Sequence, residues 1–534
     1  MSKCVNCGGE LRFDIRSQML ICTSCGATED PKETDQYGRF AEEREMEFTL
    51  FECPQCGGSV YSTDNSINGF CSYCGSNVVL RSRMEKMVYP RSIAPFKITK
   101  EACKTRYQEY VKKALFVPPE LKQAEYLDNF RGIYMPYWGY DVKISGYLSL
   151  NGLRTFREGK RVYARGYKCT GWLDAKYQGI FYDASAAFDD HFSWQIAPFD
   201  AHSLVDFTPA YLSGFYADML DVGYRIYEDN AMQIAKDKVF ESAQLHKAFP
   251  STTFSPDQLD LFRPAMDVEL NAVYSSLFPV WFLSHRTDNR VSYAVVNGQT
   301  GRVAADLPVD KKKFLLTSVL MAVPLFILLC FTILMKPVPL LIASETLAVF
   351  SIMLLMNMVK KIAVRDYRLD DKGYLSKHNR GAYLERSSYE VNAKQRMEDI
   401  KSCLVLIAFM VILAIWWLNA IQPIFRTDDN MVESFLTGML TLLVEVMAIR
   451  CTAYIKEGGR ANTGRMVAGV WIVFIAALTG FIPSVFFAQY QTVCYIAIVL
   501  MMAGTLMSQL VALDQYNIMT SRPLPQLDRK GGES

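Results

Sequence analysis

The chain has 534 residues, 50% of them hydrophobic, and a formal net charge of only +2. This length predicts several domains, and the charge balance excludes a protein whose whole surface binds nucleic acid electrostatically. Fourteen cysteines would suit a secreted disulfide framework, but eight have metal-ligand spacing and the first ten residues lack a signal-peptide core. We therefore expect a reducing compartment.

One cysteine pattern occurs twice near the N-terminus. Both copies read C-x2-C-x14-C-x2-C, and each cysteine of the second copy lies 49 positions after its counterpart. A glycine follows the second cysteine of every pair, where a zinc knuckle needs a left-handed residue. The pattern predicts two zinc ribbons whose structural ions are bound by Cys4, Cys7, Cys22, Cys25, Cys53, Cys56, Cys71 and Cys74.

The sequence around these cysteines is acidic. Residues 1–80 contain twelve Asp or Glu against six Lys or Arg, and 57–70 contain no Lys or Arg. Non-specific nucleic-acid affinity comes from Lys and Arg contacts to phosphate, so this pattern argues against nucleic acid as the ligand. Two small ribbons on a flexible acidic linker are better suited to docking on another protein.

Residues 83–310 have the mixed pattern of an α+β domain. Residue 99 is a candidate N-cap, and turn residues separate the apolar segments. The predicted helices are 99–115 and 223–247, and the predicted strand regions are 132–150, 161–182 and 266–306.

A faint internal repeat lies within this domain. Residues 134–138 (YMPYW) resemble 277–281 (LFPVW), and each segment follows a predicted helix. A helix and an antiparallel sheet used twice would explain the similarity, and so would two unrelated Pro-x-Trp core contacts. Proline within a strand pattern predicts an edge or a bulge, here at a sheet margin.

No pattern in the chain predicts an enzyme. P-loop, nucleophile-elbow and H-E-x-x-H motifs are all absent from the sequence. Asp190 with His191, and His202 with Asp206, could be metal ligands or a base with its orienting acid, but none has a recognised spacing. The aromatic residues between 134 and 227 could stack on single-stranded nucleic acid, although a β-rich core is the commoner use.

Six apolar stretches near the roughly 20 residues needed to cross a bilayer follow this domain. They are 314–335, 338–359, 403–421, 431–449, 466–488 and 492–513. Lys and Arg concentrate in alternate connections, with three in 311–313, eleven in 360–401 and four in 450–465. This alternation predicts an inner-membrane protein with both termini in the cytoplasm.

Three acidic residues fall within these spans: Glu345, Glu433 and Glu445. A transporter would use such carboxylates as proton or cation sites. No single span has a row of polar positions that would line a path. We therefore favour the interpretation that Glu433 and Glu445 reach the interfaces and that Glu345 is paired inside the bundle.

Several segments resemble a known family. The strings CPQCGG (53–58), FCSYCG (70–75), IAPFKI (93–98), GIYMPYW (132–138) and VNGQTG (296–301) are similar to those of bacterial TFIIB-type zinc-ribbon membrane proteins. The resemblance implies a multi-pass protein of the bacterial cytoplasmic membrane. It also implies a protein partner of the SPFH-domain or phage-shock type, within an envelope-stress response.

The sequence thus predicts a multidomain membrane scaffold that recruits a protein partner, with two alternatives. These are a membrane-tethered nucleic-acid-binding protein, and a transporter or channel with a regulatory ribbon domain. The predicted segments are zinc ribbon 1 (1–28), an acidic linker (29–48), zinc ribbon 2 (49–82), the α+β domain (83–310), a transmembrane hairpin (311–361), a basic loop (362–401), four transmembrane helices (402–513) and a tail (514–534).

Overall fold

The computed structural model describes residues 4–32, 45–56, 58–62, 71–75, 81–88, 90–159, 161–245, 252–254, 262–287, 290–320, 337–365, 429–457, 463–487, 489–520 and 522–523. Its strands are β1 (Leu11–Asp14), β2 (Met19–Cys22), β3 (Thr28–Glu29), β4 (Glu45–Glu52), β5 (Ser59–Ser62), β6 (Arg81–Val88), β7 (Ser92–Ile93), β8 (Arg131–Glu158), β9 (Arg161–Asp183), β10 (Val205–Asp206), β11 (Tyr216–Asp218), β12 (Thr253–Phe254), β13 (Asp267–Thr287), β14 (Arg290–Asn297), β15 (Val303–Ala305) and β16 (Arg522–Pro523). Its helices include α1 (Lys100–Lys112), α2 (Ala124–Leu127), α3 (Asp190–Ile196), α4 (Glu228–Leu245), α5 (Pro337–Arg365), α6 (Asp429–Glu457), α7 (Thr463–Phe486) and α8 (Gln491–Met519), and residues 311–320 are also helical.

The predicted elements of the middle domain are present, with longer strands than expected. The predicted N-cap of α1 is confirmed, since the Thr99 hydroxyl accepts a hydrogen bond from the Ala102 N–H at 3.3 Å. β8 runs eight residues beyond the predicted strand end at 150. Buried and exposed residues alternate along β8 up to residue 152, which is the pattern of a strand with one buried face. The apolar pattern therefore does not mark where the strand ends.

β8 and β13 are the central strands of a large sheet. They pair antiparallel, from Arg131 opposite Phe282 to Ser145 opposite Asp267. Each central strand then turns back in a hairpin, β8 with β9 and β13 with β14. Helix α4 packs on β8 and β9, and its buried Ala231, Val239 and other apolar residues form one core cluster with them.

The two segments of the faint repeat pair with each other. Tyr134 lies opposite Pro279 and Pro136 lies opposite Leu277, so the register is symmetrical about the pair between them. The neighbouring strands follow the same symmetry. β11 and then β9 flank β8, just as β7 and then β14 flank β13. This is the arrangement of two structural repeats related by a local two-fold axis.

Both prolines lie in central strands, so the prediction of a sheet margin was wrong. Each lies where the outer neighbour of its strand changes. The Pro136 carbonyl accepts from the Ala184 N–H, and the Pro279 carbonyl accepts from the Gly298 N–H, both at 2.8 Å. Because the N–H and C=O of a strand residue point to the same edge, the missing proline N–H faces this change of neighbour and no strand-pairing bond is lost.

The C-terminal half is helical where the structure describes it. Three helices are long and apolar enough to cross a membrane, at 434–453, 464–486 and 491–518, and a shorter apolar helix covers 340–356. These four correspond to the fourth, fifth, sixth and second predicted spans. Of the first predicted span only 314–320 are described, and the third lies outside the described residues. The described chain therefore provides three helices of membrane-spanning length rather than the six predicted.

The end of α8 is attached to the start of the helical region and to the sheet. The Asn517 side chain makes two 2.7 Å hydrogen bonds with the main chain of Val309, one as donor and one as acceptor. Lys311 forms an ion pair with Asp514, and Arg522 pairs with Val291 of β14. The first and last helical residues therefore lie on the same side of the bundle, next to the sheet.

Candidate metal centres

The first cysteine group surrounds the β1–β2 hairpin. The Sγ atoms of Cys4 and Cys25 are 3.7 Å apart, and those of Cys7 and Cys22 are 3.4 Å apart. All four sulfur atoms lie within 4.8 Å of one another. The glycines after Cys7 and Cys25 have φ values of +70° and +73°, the left-handed conformation that the knuckle turn requires. The predicted ligand set is therefore brought together.

The second cysteine group has the same geometry in a buried setting. The Cys53–Cys74 and Cys56–Cys71 sulfur pairs are each 3.7 Å apart, and the four sulfurs again lie within 4.8 Å of one another. All four side chains are buried, whereas Cys7 and Cys25 of the first group are exposed. Only the first centre therefore has ligands that solvent or a partner can reach.

Both groups fit a tetrahedral metal ion bound by four sulfurs. Metal–sulfur bonds of about 2.3 Å in a tetrahedron place the sulfurs about 3.8 Å apart, close to the observed separations. Main-chain N–H groups of Cys25 and Ser24 donate to the Cys22 sulfur, which lowers the pKa of Cys22 to about 6 and favours the thiolate that a metal binds. In the second group the Gly58 N–H points at the Cys56 sulfur at 3.4 Å.

The first ribbon is docked on the sheet domain. Its Phe13 ring packs edge-on against Tyr211 with centroids 5.2 Å apart, and the Phe13 N–H donates to the Ser213 carbonyl at 3.1 Å. The Gln18 side chain donates to the Phe96 carbonyl at 2.8 Å. These contacts fix the ribbon to the domain, whereas the docking hypothesis treated it as a module on a flexible linker.

The second ribbon is part of the central sheet itself. β5 pairs with β4 and with β11, and β11 in turn pairs with β8. Tyr73, between two of the ligands, is fully buried with its ring 6.0 Å from that of Phe282. Its carbonyl accepts a 2.5 Å hydrogen bond from the Tyr293 hydroxyl. This metal centre therefore supports the fold of the domain.

The histidine candidates do not form a site. The ring of His191 contacts the Gln195 amide at 2.7 Å, and Asp190 accepts from the Tyr227 hydroxyl. His202 belongs to a short 3-10 turn that Asp200 caps. Within the described part of the chain, the two cysteine groups are the sets of His, Cys, Asp or Glu that could hold a metal.

The acidic residues of the predicted spans differ in how far they are buried. Glu345 is fully buried in α5, and Glu445 is half-buried in α6. The Glu433 side chain lies outside what the structure describes. The Glu345 carboxylate contacts the Thr441 hydroxyl at 3.1 and 3.2 Å, so its partner is a neutral group.

Sequence reasoning missed one further surface, the end of the β8–β9 hairpin. We call residues 153–158 and 161–167 the arm. Beyond Leu153, the last β8 residue to pair with β12, β8 pairs only with β9 among the described strands. All described residues of the arm are exposed on both faces of the ribbon. The arm lies at one end of the sheet. The opposite end is where β13 meets β14, and there β14 pairs with β16.

The arm is basic and rich in aromatic side chains. Arg154 and Arg165 lie directly opposite each other, next to the stacked rings of Phe156 and Tyr163, whose centroids are 5.6 Å apart. The Arg165 guanidinium lies 5.7 Å from the Phe156 ring centre. Like charges in directly opposed positions destabilise an isolated ribbon. The pair therefore suggests an anionic group that binds between them.

The comparisons with known proteins give one relative and no family. The chain is 27% identical over 321 residues to "Uncharacterized protein YdjG" of Bacillus subtilis (strain 168), a match that covers 58% of this chain and 91% of the relative. No family model matches the chain. No solved structure matches it either.

Proposed function

We propose that the protein is a multi-pass membrane scaffold that recruits a protein partner through its ribbon-containing α+β domain. The arm is the observation that carries this proposal. It presents Arg and aromatic side chains, the residue types that contribute most to protein–protein affinity, at the end of a rigid sheet. The ions are zinc in structural sites, which hold the sheet in shape.

The attachment of α8 supports an even number of membrane spans. Since residue 309 and residue 517 lie side by side, the chain crosses the bilayer an even number of times between them. Six spans satisfy this condition. They also agree with the alternation of connections rich in Lys and Arg along the sequence. The domain, the ribbons and the C-terminal end then share the cytoplasmic side.

An acidic protein surface fits the arm better than nucleic acid does. Val162 is 68% exposed, and Trp172, next to the arm on β9, is 74% exposed. An exposed aliphatic group such as Val162 gains from burial in a protein interface but contributes little to contacts with phosphates, whereas Trp172 can pack in either kind of interface. The outer edge of β9 is also unpaired among the described strands, which offers main-chain groups to an added strand of the partner. An SPFH-domain or phage-shock-type partner belongs to this proposal through the family resemblance alone.

Site-specific photocrosslinking tests this function. We expect a photoreactive residue at position 163 to link the full-length protein to one protein through an acidic peptide. The substitutions Arg154→Glu and Arg165→Glu reverse the charge of the opposed arginines. Each arginine contact that is lost costs about 1.4 kcal/mol or more of binding free energy, so the yield of the crosslinked product should fall at least about tenfold. Nuclease treatment should leave the product unchanged.

Position 194 provides a matched control. Trp194 is exposed on α3, away from the arm, so the same photoreactive residue there should give no such product. Crosslinking of position 163 to nucleic acid would favour the membrane-tethered nucleic-acid-binding alternative. Products that survive the charge reversal, or that match those from position 194, would refute docking through the arm.

A further inference from the structure

Among the described carboxylates of helices α5 to α8, Glu345 is the fully buried one. Glu345 of α5 has no exposed surface, and its helix packs against α6, α7 and α8. A Cβ at Gly480 of α7 would lie 2.8 Å from the Glu345 Oε1 and 2.9 Å from the Met501 methyl of α8. The absence of a side chain at Gly480 therefore leaves the room that the carboxylate occupies.

Among the described residues, this carboxylate has no cationic partner. The six predicted spans contain no Lys, Arg or His at all, including the two spans that the structure does not fully describe. Among the described residues, the hydrogen-bonding partner of Glu345 is the Thr441 hydroxyl of α6. An ionised carboxylate without a counter-charge is costly in an apolar bundle, so the site must hold a proton or an external cation.

The surrounding atoms suit a proton. The Thr441 Oγ1 lies 2.9 Å from the Thr437 carbonyl as well as 3.1 and 3.2 Å from the two oxygens of Glu345. If the Thr441 hydroxyl donates to that carbonyl, its oxygen is free to accept the proton of a neutral Glu345 carboxyl, and both bonds are satisfied. A hard metal ion such as Ca²⁺ needs about six or more oxygen ligands, which these side chains do not supply.

Hydroxyl and main-chain carbonyl groups of α6 and α7 lie between this site and one end of the bundle. Ser434 of α6 donates to the Ser484 carbonyl of α7 at 2.6 Å, and the Thr437 and Ser484 hydroxyls are 2.7 Å apart. The Thr441 hydroxyl contacts both the Thr437 carbonyl and Glu345, which completes the polar row. The row starts near the first residue of α6, which the charge pattern places on the external side of the membrane.

The opposite side of Glu345 is closed by apolar packing. Ala348, Val444 and Val473 are buried in one apolar cluster of α5, α6 and α7, and the Gln509 amide of α8 donates to Ser351 of α5. Among the described residues, Glu445 lies one turn beyond Thr441 on α6, and the Cys494 thiol of α8 lies in the apolar cluster that also contains Met501. The described polar groups thus lead from Glu345 towards one end of the bundle.

We propose that Glu345 is a proton-binding site whose polar side, lined by Ser434, Ser484, Thr437 and Thr441, faces the external end of the bundle, where it exchanges its proton with external water. Binding converts the carboxylate and one proton from external water into the neutral carboxyl, which donates to the Thr441 hydroxyl oxygen. This goes beyond scaffolding, because it gives the bundle a group that can respond to the proton concentration outside the cell. The assignment of the external side rests on the proposed topology, whereas the assignment of Glu345 as a proton-binding carboxyl does not.

Labelling by dicyclohexylcarbodiimide tests the site. This apolar reagent enters bilayers and modifies protonated carboxyl groups, so the full-length protein in lipid vesicles should be labelled at Glu345. Glu345→Gln keeps the size and the contact with Thr441 and should lose nearly all of the label. Glu445→Gln is the matched control and should retain it. Thr441→Val should retain the labelling, because removal of the hydroxyl makes the ionised carboxylate still more costly and leaves the protonated form favoured.

Infrared spectra of the same vesicles give an independent measurement. The C=O stretch of a protonated carboxylic acid should be present in the wild type and in Glu445→Gln, and absent in Glu345→Gln. Suppression of the labelling by sodium chloride, but not by choline chloride, would assign the site to a metal cation and overturn the proton assignment. Labelling that persists in a folded Glu345→Gln protein, or no label at Glu345 in the wild type, would equally overturn it.

Discussion

Cys56→Ser is expected to unfold the central sheet, whereas Cys7→Ser leaves it folded. Structural zinc in a four-cysteine site contributes an apparent binding free energy of about 10–16 kcal/mol, as much as the whole net stability of a domain, about 5–15 kcal/mol. The second centre is fully buried and its strands are part of the central sheet. The first centre has exposed ligands on a separate three-stranded sheet.

Zinc content and hydrogen exchange measure this difference. We expect two zinc ions per wild-type chain, and one for Cys7→Ser with the slow exchange of β8 and β13 amides preserved. For Cys56→Ser we expect loss of that protection throughout the sheet. Cys103→Ser is the control, because Cys103 is a buried cysteine outside both groups. A Cys56→Ser protein with a protected sheet would contradict a structural role for the second centre.

The metal centres show how far the sequence predicts this fold. Spacing alone predicts all eight ligands, because a knuckle is a local structure fixed by two cysteines and a turn glycine. The relation of each ribbon to the domain is not local. β5 of the second ribbon pairs with β11, a strand far along the chain. Neither segment contains a sequence pattern that predicts the pairing of β5 with β11, so the sequence predicts the second ribbon as a separate module.

The arm and the polar row were missed for related reasons. Phe156 continues the period-2 apolar pattern of Leu148 and Leu150 in β8, and it is exposed because no described element covers the sheet at that point. In the bundle, no single predicted span contains the polar row. The observed row alternates between α6 and α7, with Ser484 between Ser434 and Thr437. Such a row exists only after the helices pack.

Phe96→Ala should destabilise the sheet domain by about 3–5 kcal/mol, the cost of a large buried cavity. Phe96 is fully buried between the two repeats. Its ring centroid lies 5.0 Å from that of Tyr134 on β8, 5.1 Å from that of Trp281 on β13 and 4.5 Å from the stacked Phe215 ring. Removal of the ring leaves both central strands without their shared contact, and the collapse of these large aromatic neighbours into the space is limited.

Denaturant unfolding of the full-length protein in detergent, followed by the exchange of β8 and β13 amides, measures this loss. Phe156→Ala makes the same chemical change on the exposed arm and should cost no more than about 0.5 kcal/mol. The carbonyl of Phe96 also accepts from Gln18 of the first ribbon. A shift of this loop should therefore release that ribbon and raise the exchange of β1 and β2 amides before the sheet unfolds. Equal effects of the two substitutions would mean that Phe96 does not join the two repeats.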